Sequence, residues 1–92
     1  MEPSPPASIF TPVESHALNG GVQYVYQFPN GYGASVIQGP YSYGGLEGRW
    51  EIGILKNDEL CYDSGITDDV LGWLSDAQAA EILIKIAALT ND

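Results

Sequence analysis

The sequence predicts an α+β domain, in which an antiparallel four-stranded β-sheet is packed by a C-terminal α-helix with a short preceding helical turn. Three observations support this prediction. Apolar and polar residues alternate in several segments between residues 22 and 63, turn residues separate these segments, and helical spacing begins after Ser75. Consecutive strands joined by short turns pair antiparallel. One long amphipathic helix then covers one face of the sheet.

The first two predicted strands form a hairpin. In VQYVYQF (22–28), β-branched and aromatic residues occupy every second position, which is typical of a half-buried strand. Pro29-Asn30-Gly31 is a turn, because Pro fixes φ at the first corner and Gly accepts a positive φ. YGASVIQG (32–39) is the returning strand, and Gly33 within it is a candidate β-bulge.

Two further strands are predicted after the Tyr/Gly stretch. RWEIGIL (49–55) has the clearest alternation in the chain and is the third predicted strand. Residues 56–58 are a turn, and ELCYD (59–63) is a short fourth strand. Residues 67–69 are predicted to cap a short helical turn over residues 70–73.

The C-terminal helix has both a start signal and a buried stripe. Ser75 and Gln78 have the spacing of a capping box, and Asp76 suits the positive end of a helix. Apolar residues then recur at helical spacing and predict the buried side. These residues are Ala79, Ile82, Leu83, Ile86 and Leu89.

The chain has 92 residues, which is enough for one domain. Residues 1–20 contain four of the six prolines, and Pro lacks the N–H that a sheet needs. They are predicted to be an extended or partly disordered arm, anchored by Ile9, Phe10 and Val13. Residues 21–92 are predicted to form the single α+β domain.

Acidic residues outnumber basic residues by 12 to 3, which gives a formal net charge of -9. Contacts to phosphates or to an anionic membrane surface require clustered Lys and Arg, so direct nucleic-acid binding and membrane binding are excluded. Two interpretations of the charge remain open. It keeps the protein soluble, or it docks on a basic partner, for example by imitating nucleic acid. The N-terminus is not signal-like and no apolar segment reaches roughly 18 residues, so a cytoplasmic protein is expected.

The sequence contains no catalytic grouping, so no catalytic residue, metal or cofactor is predicted. His16 is the single histidine and lies in the Pro-rich arm without other ligand-type residues at metal spacing. Cys61 has no basic neighbour in sequence that would activate its thiol. The carboxylates of DELCYDSGITDD (58–69) lack the spacing of a calcium-binding EF-hand loop.

Two segments are predicted to bind a protein partner. GPYSYGGLEGRW (39–50) joins two strands, and Tyr combined with Gly and Ser is typical of recognition loops. The alternative is that Tyr41 and Tyr43 fold back over the sheet and complete the core. The second segment is the acidic run 58–69. The residues predicted to bind the partner are Tyr41, Tyr43, Asp58, Glu59, Asp63, Asp68 and Asp69.

The C-terminal helix carries a second apolar line outside its buried stripe. Ala77, Ile84 and Ala88 fall on a side where a solvated helix would be polar. This line predicts a homodimer or another protein interface. The alternative is that Ile9 and Phe10 of the arm pack across it.

Three strings, FPNGYGASV (28–36), YSYGGLEGRWEIGIL (41–55) and YDSGITDDVLGWL (62–74), together resemble a group of small proteins encoded by bacteriophages, especially phages of actinobacteria. The resemblance covers about residues 22 to 89 and leaves the Pro-rich arm unmatched. The group has no assigned activity, so no catalytic residues are carried over. The resemblance implies a phage gene product that acts in the host cytoplasm. The aromatic loop, the acidic surface and the lack of a catalytic grouping predict that it binds a host or phage protein.

The expected function is therefore non-enzymatic binding. By analogy with the class of small acidic phage proteins, the chain is expected to inhibit a host protein involved in defence or nucleic-acid handling. The alternative is a homo-oligomeric phage accessory or assembly protein without an inhibitory role.

Overall fold

The computed structural model describes residues 4–7, 9–18, 20–40, 42, 45–57, 59–61 and 70–90. They form strands and one α-helix in the order β1 (Glu14–Leu18), β2 (Gly21–Gln27), β3 (Tyr32–Gln38), β4 (Trp50–Lys56), β5 (Glu59–Leu60), β6 (Leu71–Leu74) and α1 (Asp76–Ala87). A short 3₁₀ helix, Gly45–Glu47, lies between β3 and β4.

All strand pairs of the sheet are antiparallel. The spatial order is β1-β2-β3-β4, and the far edge of β4 pairs with both β5 and β6. The predicted α+β class and antiparallel sheet are therefore confirmed. The predicted number of four strands is wrong, because the described residues form a six-stranded sheet. The two additional strands are β1 and β6.

Strand β1 comes from the Pro-rich N-terminal segment. It pairs with β2 from Glu14 opposite Val25 to Leu18 opposite Gly21, and all of its residues are exposed. A strand that is exposed on both faces has no apolar periodicity, so alternation could not indicate it. Gly20, at a φ of 82°, supplies the turn into β2.

Strand β6 lies where the sequence predicted a helical turn over residues 70–73, and that prediction is wrong. Leu71 pairs with Ile52 and Leu74 pairs with Trp50, with a register irregularity between the two pairs. Backbone groups at the far edge of β4 need partners, and pairing there prevails over local helical preference. The predicted cap at residues 67–69 lies outside the described residues.

Strands β5 and β6 occupy the same edge of β4 and run in the same direction. Directly after β5, the Cys61 N–H donates to the Ile54 carbonyl at 2.7 Å, and the next strand pair on that edge joins Ile52 to Leu71. Among the described residues, pairing with this edge of β4 therefore ends at Cys61 and resumes at Leu71. Residues 62–63 of the predicted fourth strand lie outside the described residues.

One face of the sheet forms the core with α1. Every second residue of the three central strands is buried on this face, as strand geometry requires. These residues are Val22, Tyr24, Tyr26, Tyr32, Ala34, Val36, Trp50, Ile52 and Ile54. The predicted stripe of the helix is confirmed: Ala79, Leu83 and Ile86 are buried, and Ile82 and Leu89 are partly buried against the core.

The N-terminal end of α1 is fixed by its own cap and by the sheet. The predicted capping box is confirmed, since Ser75 Oγ accepts from the Gln78 N–H and Gln78 Oε1 accepts from the Ser75 N–H. In the first helical turn, Asp76 Oδ1 accepts a 2.6 Å hydrogen bond from the indole N–H of buried Trp50. The carboxylate also lies at the positive end of the helix dipole. This contact attaches α1 to β4.

The segment before β1 also packs against the core. Ala7 belongs to the buried core, and the ring of Phe10 packs edge-on against Phe28 with 5.1 Å between centroids. Phe10 is therefore an anchor, as predicted. Ile9 and Val13 are not, because 68% and 52% of their surfaces are exposed.

The two predicted tight turns between strands are confirmed in their backbone conformation. In the β2–β3 turn, the Gly31 N–H donates to the Phe28 carbonyl at 3.2 Å, and Gly31 has a φ of 86°. After β4, Asn57 has a φ of 53°, a left-handed conformation that Asn tolerates better than most residues. The Asn57 N–H also donates to the Gly31 carbonyl at 3.2 Å, so the two turns contact each other.

Candidate partner-binding surfaces

Most residues predicted to bind a partner lie outside the described part of the chain. These residues are Tyr41, Tyr43, Asp58, Asp63, Asp68 and Asp69. Glu59 is described, and it is exposed on the short strand β5. The assignment of these side chains to a binding surface therefore stays a prediction, and the described residues around them define only where the two segments begin and end.

The Tyr/Gly segment is framed by a series of tight turns. The Ser42 N–H donates to the Gly39 carbonyl, the Gly45 N–H to the Ser42 carbonyl, and the Gly48 N–H to the Gly45 carbonyl, each at 3.1 Å. The Ser42 hydroxyl also donates to the Gly39 carbonyl at 2.9 Å and accepts from the Gly39 N–H at 3.0 Å. In the sequence, Tyr41 lies between Gly39 and Ser42.

Two positions in the Tyr/Gly segment favour glycine for different structural reasons. A side chain at Gly45 would overlap the Gly39 carbonyl oxygen and the Ser42 hydroxyl, so the close approach of the turns requires Gly. Gly48 has open space around it but a φ of 73°, which favours Gly at the entry to β4. Among the described residues of this segment, Gly45 and Gly48 therefore allow backbone conformations that a larger residue would disfavour.

The described residues at the two ends of the acidic segment both lie at one edge of the sheet. These ends are Leu60 and Cys61 on one side and Val70 and Leu71 on the other. The side chains of Leu60 and Val70 both lie near Gly53 of β4, since a Cβ there would be 3.0 Å from Leu60 Cδ2 and 3.6 Å from Val70 Cγ1. The two ends of the segment are therefore held close together on one edge.

Trp73 is the largest exposed aromatic side chain among the described residues, and sequence reasoning missed it. It lies in β6 within the register irregularity opposite β4, it is 57% exposed, and its φ is 59°. A bulky residue in the left-handed region costs roughly 1 kcal/mol or more. The sequence signal was a Trp beside Gly72 in a four-residue strand, LGWL, too short for its backbone conformation to be predicted.

Two of the three basic side chains of the chain are engaged in contacts. Lys56 Nζ lies 5.1 Å from the centroid of the Tyr32 ring, in a cation–π contact. Lys85 Nζ lies 3.9 Å from Glu81 Oε1 on the exposed side of α1. Arg49 is exposed just before β4. The formal net charge of the full sequence is -9.

The second apolar line of α1 is exposed. Ala77, Ile84 and Ala88 all face away from the core, and Ile84 is 47% exposed. Phe10 packs against Phe28 instead of crossing this line, and Ile9 is itself exposed. The packing of the arm that the sequence left open as an alternative is therefore not found among the described residues.

The titratable side chains of the described residues do not form a recognisable reactive centre. Glu14 Oε1 and His16 Nε2 are 2.8 Å apart on β1, and both side chains are exposed. Cys61 is a buried cysteine of the core. Burial raises the pKa of Tyr26 to about 12 and so keeps its phenol neutral, and the neighbouring Tyr24 adds to this rise. No group of three potential metal ligands occurs among the described residues.

No protein-family model, curated protein or solved structure matches this chain. Among the described residues, no helix has both the length and the apolar character needed to span a membrane. The function is therefore inferred from the surfaces of the chain itself.

Proposed function

We propose that this chain is a small acidic protein-binding protein whose contact surface is the edge formed by β5, β6 and the acidic segment between them. By its resemblance to small phage proteins, it acts in a host cytoplasm as an inhibitor of a basic host protein. The exposed, left-handed Trp73 is the observation that carries the proposal. The acidic segment supplies charge, and Trp73 supplies the central apolar contact.

Trp73 has the properties of an interface anchor. Trp is enriched among residues that dominate binding energy, because its large ring excludes water when a partner covers it. Backbone strain of this kind persists where the surrounding structure enforces it, and it concentrates at sites of function. Here the pairing of Leu71 and Leu74 with β4 enforces the conformation, and the indole is left 57% exposed.

The charge defines the partner class. Three cations against twelve carboxylates give a negative field that attracts a basic surface and accelerates encounter with it. Glu59 of the acidic segment lies on the same edge of β4 that pairs with the strand carrying Trp73. A narrower form of this proposal is that the acidic surface imitates nucleic acid. In that case, DNA should compete with the chain for the same partner, and binding should weaken steeply as the salt concentration rises.

The test is affinity capture from host lysate, followed by binding measurements with the purified partner. Trp73→Ala should abolish capture, whereas Ile84→Ala, a truncation of an exposed apolar residue on α1, should leave it unchanged. Identical capture by wild type and Trp73→Ala would exclude this edge as the contact surface.

A second candidate function is supported by the apolar line of α1. Exposed Ile84, flanked by Ala77 and Ala88, is suited to pack against the same line of a second copy. The chain would then be a homo-oligomeric phage accessory or assembly protein.

A further inference from the structure

Among the described residues, the sheet face that points away from α1 is covered at Gly53 by the side chains of Leu60 and Val70 and is otherwise open. Strand alternation places Gln23, Val25, Ser35 and Leu55 on this face, because residues next to them in sequence are buried in the core, and Glu14 lies opposite Val25. Leu60, opposite Leu55, lies beside them and is 51% exposed. Apolar and polar side chains are thus mixed on one open surface.

This face is concave. A depression of about 460 Å³ is lined by side chains of β1 to β5, from Glu14 at one end to Leu60 at the other. This depression forms a groove across the strands that is open to solvent. A second depression of about 220 Å³ lies beside it at the β2–β3 turn and shares Gln27 and Leu55 with it, but its other walls include Tyr26, Phe28 and Tyr32 of the core face.

The groove combines apolar patches with a single carboxylate. Val25, Leu55 and Leu60 supply the apolar contacts, and Glu14 supplies the negative charge at the β1 end. None of the three cations of the chain lines it: Lys56 lies over Tyr32, and Lys85 lies beside Glu81. The third cation, Arg49, is likewise absent from its walls.

We infer that this groove, hereafter the open-face groove, binds an extended, cationic segment of the protein partner. Apolar side chains of the segment contact Val25, Leu55 and Leu60. A Lys or Arg pairs with the carboxylate of Glu14, whose Oε1 also lies 2.8 Å from His16 Nε2. Sites for small molecules bury most of their ligand, which a groove open along its length does not do. An extended segment with alternating side chains matches its shape, and its positive charge complements the chain. The inference rests on the proposed function for its class of partner.

The probe is a synthetic peptide of about ten residues in which Lys and Val alternate, together with a matched peptide that carries Glu in place of Lys. Binding is followed by fluorescence anisotropy and by ¹⁵N NMR of the full chain. The Lys peptide should bind and shift the amide signals of Val25, Ser35 and Leu55, whereas the Glu peptide should not bind. Signals that shift only on α1, or no shifts at all, would overturn the assignment.

Two substitutions with the same change of charge separate the groove from the general field of the protein. Glu14→Lys should weaken binding of the Lys peptide about tenfold or more, whereas Glu81→Lys, on α1, should change it less than about twofold. Equal losses would mean that only the net charge is sensed. If Glu14→Lys fails to fold, Glu14→Gln keeps the shape of the side chain and should still lower the affinity several-fold.

The apolar part of the groove has its own test. Val25→Ser should weaken binding of the Lys peptide without changing the charge of the protein. An unaltered affinity would mean that the apolar residues of the groove do not contribute to binding. None of these variants touches Trp73. If Trp73→Ala abolishes capture but the groove variants do not change peptide binding, the groove is refuted and the proposed edge stands. If Trp73→Ala leaves capture unchanged but the groove variants weaken peptide binding, the edge is refuted and the groove stands.

Discussion

The side-chain amide of Asn30 donates a 2.9 Å hydrogen bond to the carbonyl oxygen of Ile86, which lies 56 positions further along the chain. The same nitrogen lies 3.2 Å from the Ala87 carbonyl oxygen and 2.9 Å from that of Leu89. Asn30 Oδ1 accepts from the Tyr32 N–H at 2.9 Å. The β2–β3 turn thereby caps the C-terminal end of α1, where carbonyl groups lack partners within the helix.

Asn30→Ala should therefore lower the free energy of unfolding by about 2 kcal/mol, because several hydrogen bonds are lost and helix carbonyls are left without a donor. Urea denaturation followed by circular dichroism measures the change. Asn30→Asp is the matched variant: it keeps the acceptor for Tyr32 but loses the donors and places a negative charge at the negative end of the helix dipole. It should be at least as destabilising, and a loss below about 0.5 kcal/mol in Asn30→Ala would contradict the capping role.

The opposite end of α1 allows a direct measurement of one hydrogen bond. Trp50→Phe and Asp76→Ala each remove one partner of the 2.6 Å contact, and a double-mutant cycle isolates its energy. A coupling of about 1–2 kcal/mol is expected, because the acceptor is charged but partly in contact with solvent. Glu81→Ala, an exposed carboxylate on the same helix, should show no coupling to Trp50→Phe. Equal coupling in both pairs would point to a general effect of helix charge.

The elements that could be predicted from the sequence are those with one buried face. Strands β2, β3 and β4 alternate because every second side chain enters the core, and α1 repeats its apolar residues for the same reason. Strand β1 is exposed on both faces and leaves no such signal. The capping by Asn30 and the conformation of Trp73 arise from contacts between segments distant in sequence, so local patterns contain no information about them.

Tyr26 is expected to limit stability at alkaline pH. Burial raises the pKa of its hydroxyl from 10.0 to about 12, and that hydroxyl has no hydrogen-bond partner among the described residues. The unfolded state loses this proton near pH 10 while the folded state retains it to about pH 12, so stability falls as the pH rises through this range. Tyr26→Phe removes the effect.

Unfolding in urea at pH 8 and pH 11 measures the contribution of Tyr26. At pH 8, Tyr26→Phe should be as stable as the wild type or up to about 1 kcal/mol more stable, since no hydrogen bond is lost and an unpaired polar group leaves the core. At pH 11 the difference should widen in favour of the variant. A difference that is the same at both pH values would mean that Tyr26 ionises equally in the folded and unfolded states.

The left-handed backbone at Trp73 predicts that Gly at this position is more stable than Ala, the reverse of the order in a helix. Ala at this position keeps the cost of a left-handed backbone, whereas Gly removes it, so Trp73→Gly should be about 1 kcal/mol more stable than Trp73→Ala. The helix position Ala77 is the control, because Gly there should be about 1 kcal/mol less stable than Ala. Both Trp73 variants should lose partner capture. If Trp73→Ala proved the more stable of the two, backbone strain at this position would be disproved.

Ile84→Glu distinguishes self-association from binding of a different protein. Its side chain is 47% exposed, so the substitution should change the free energy of unfolding by less than about 0.5 kcal/mol. If the chain is a homo-oligomer, sedimentation velocity should show a dimer for the wild type and a monomer for Ile84→Glu. Lys85→Glu adds more negative charge on a different side of α1 and should leave that dimer intact, which excludes general repulsion as the cause. A wild type that stays monomeric at high concentration would remove the homo-oligomer and leave the edge around Trp73 as the site of partner binding.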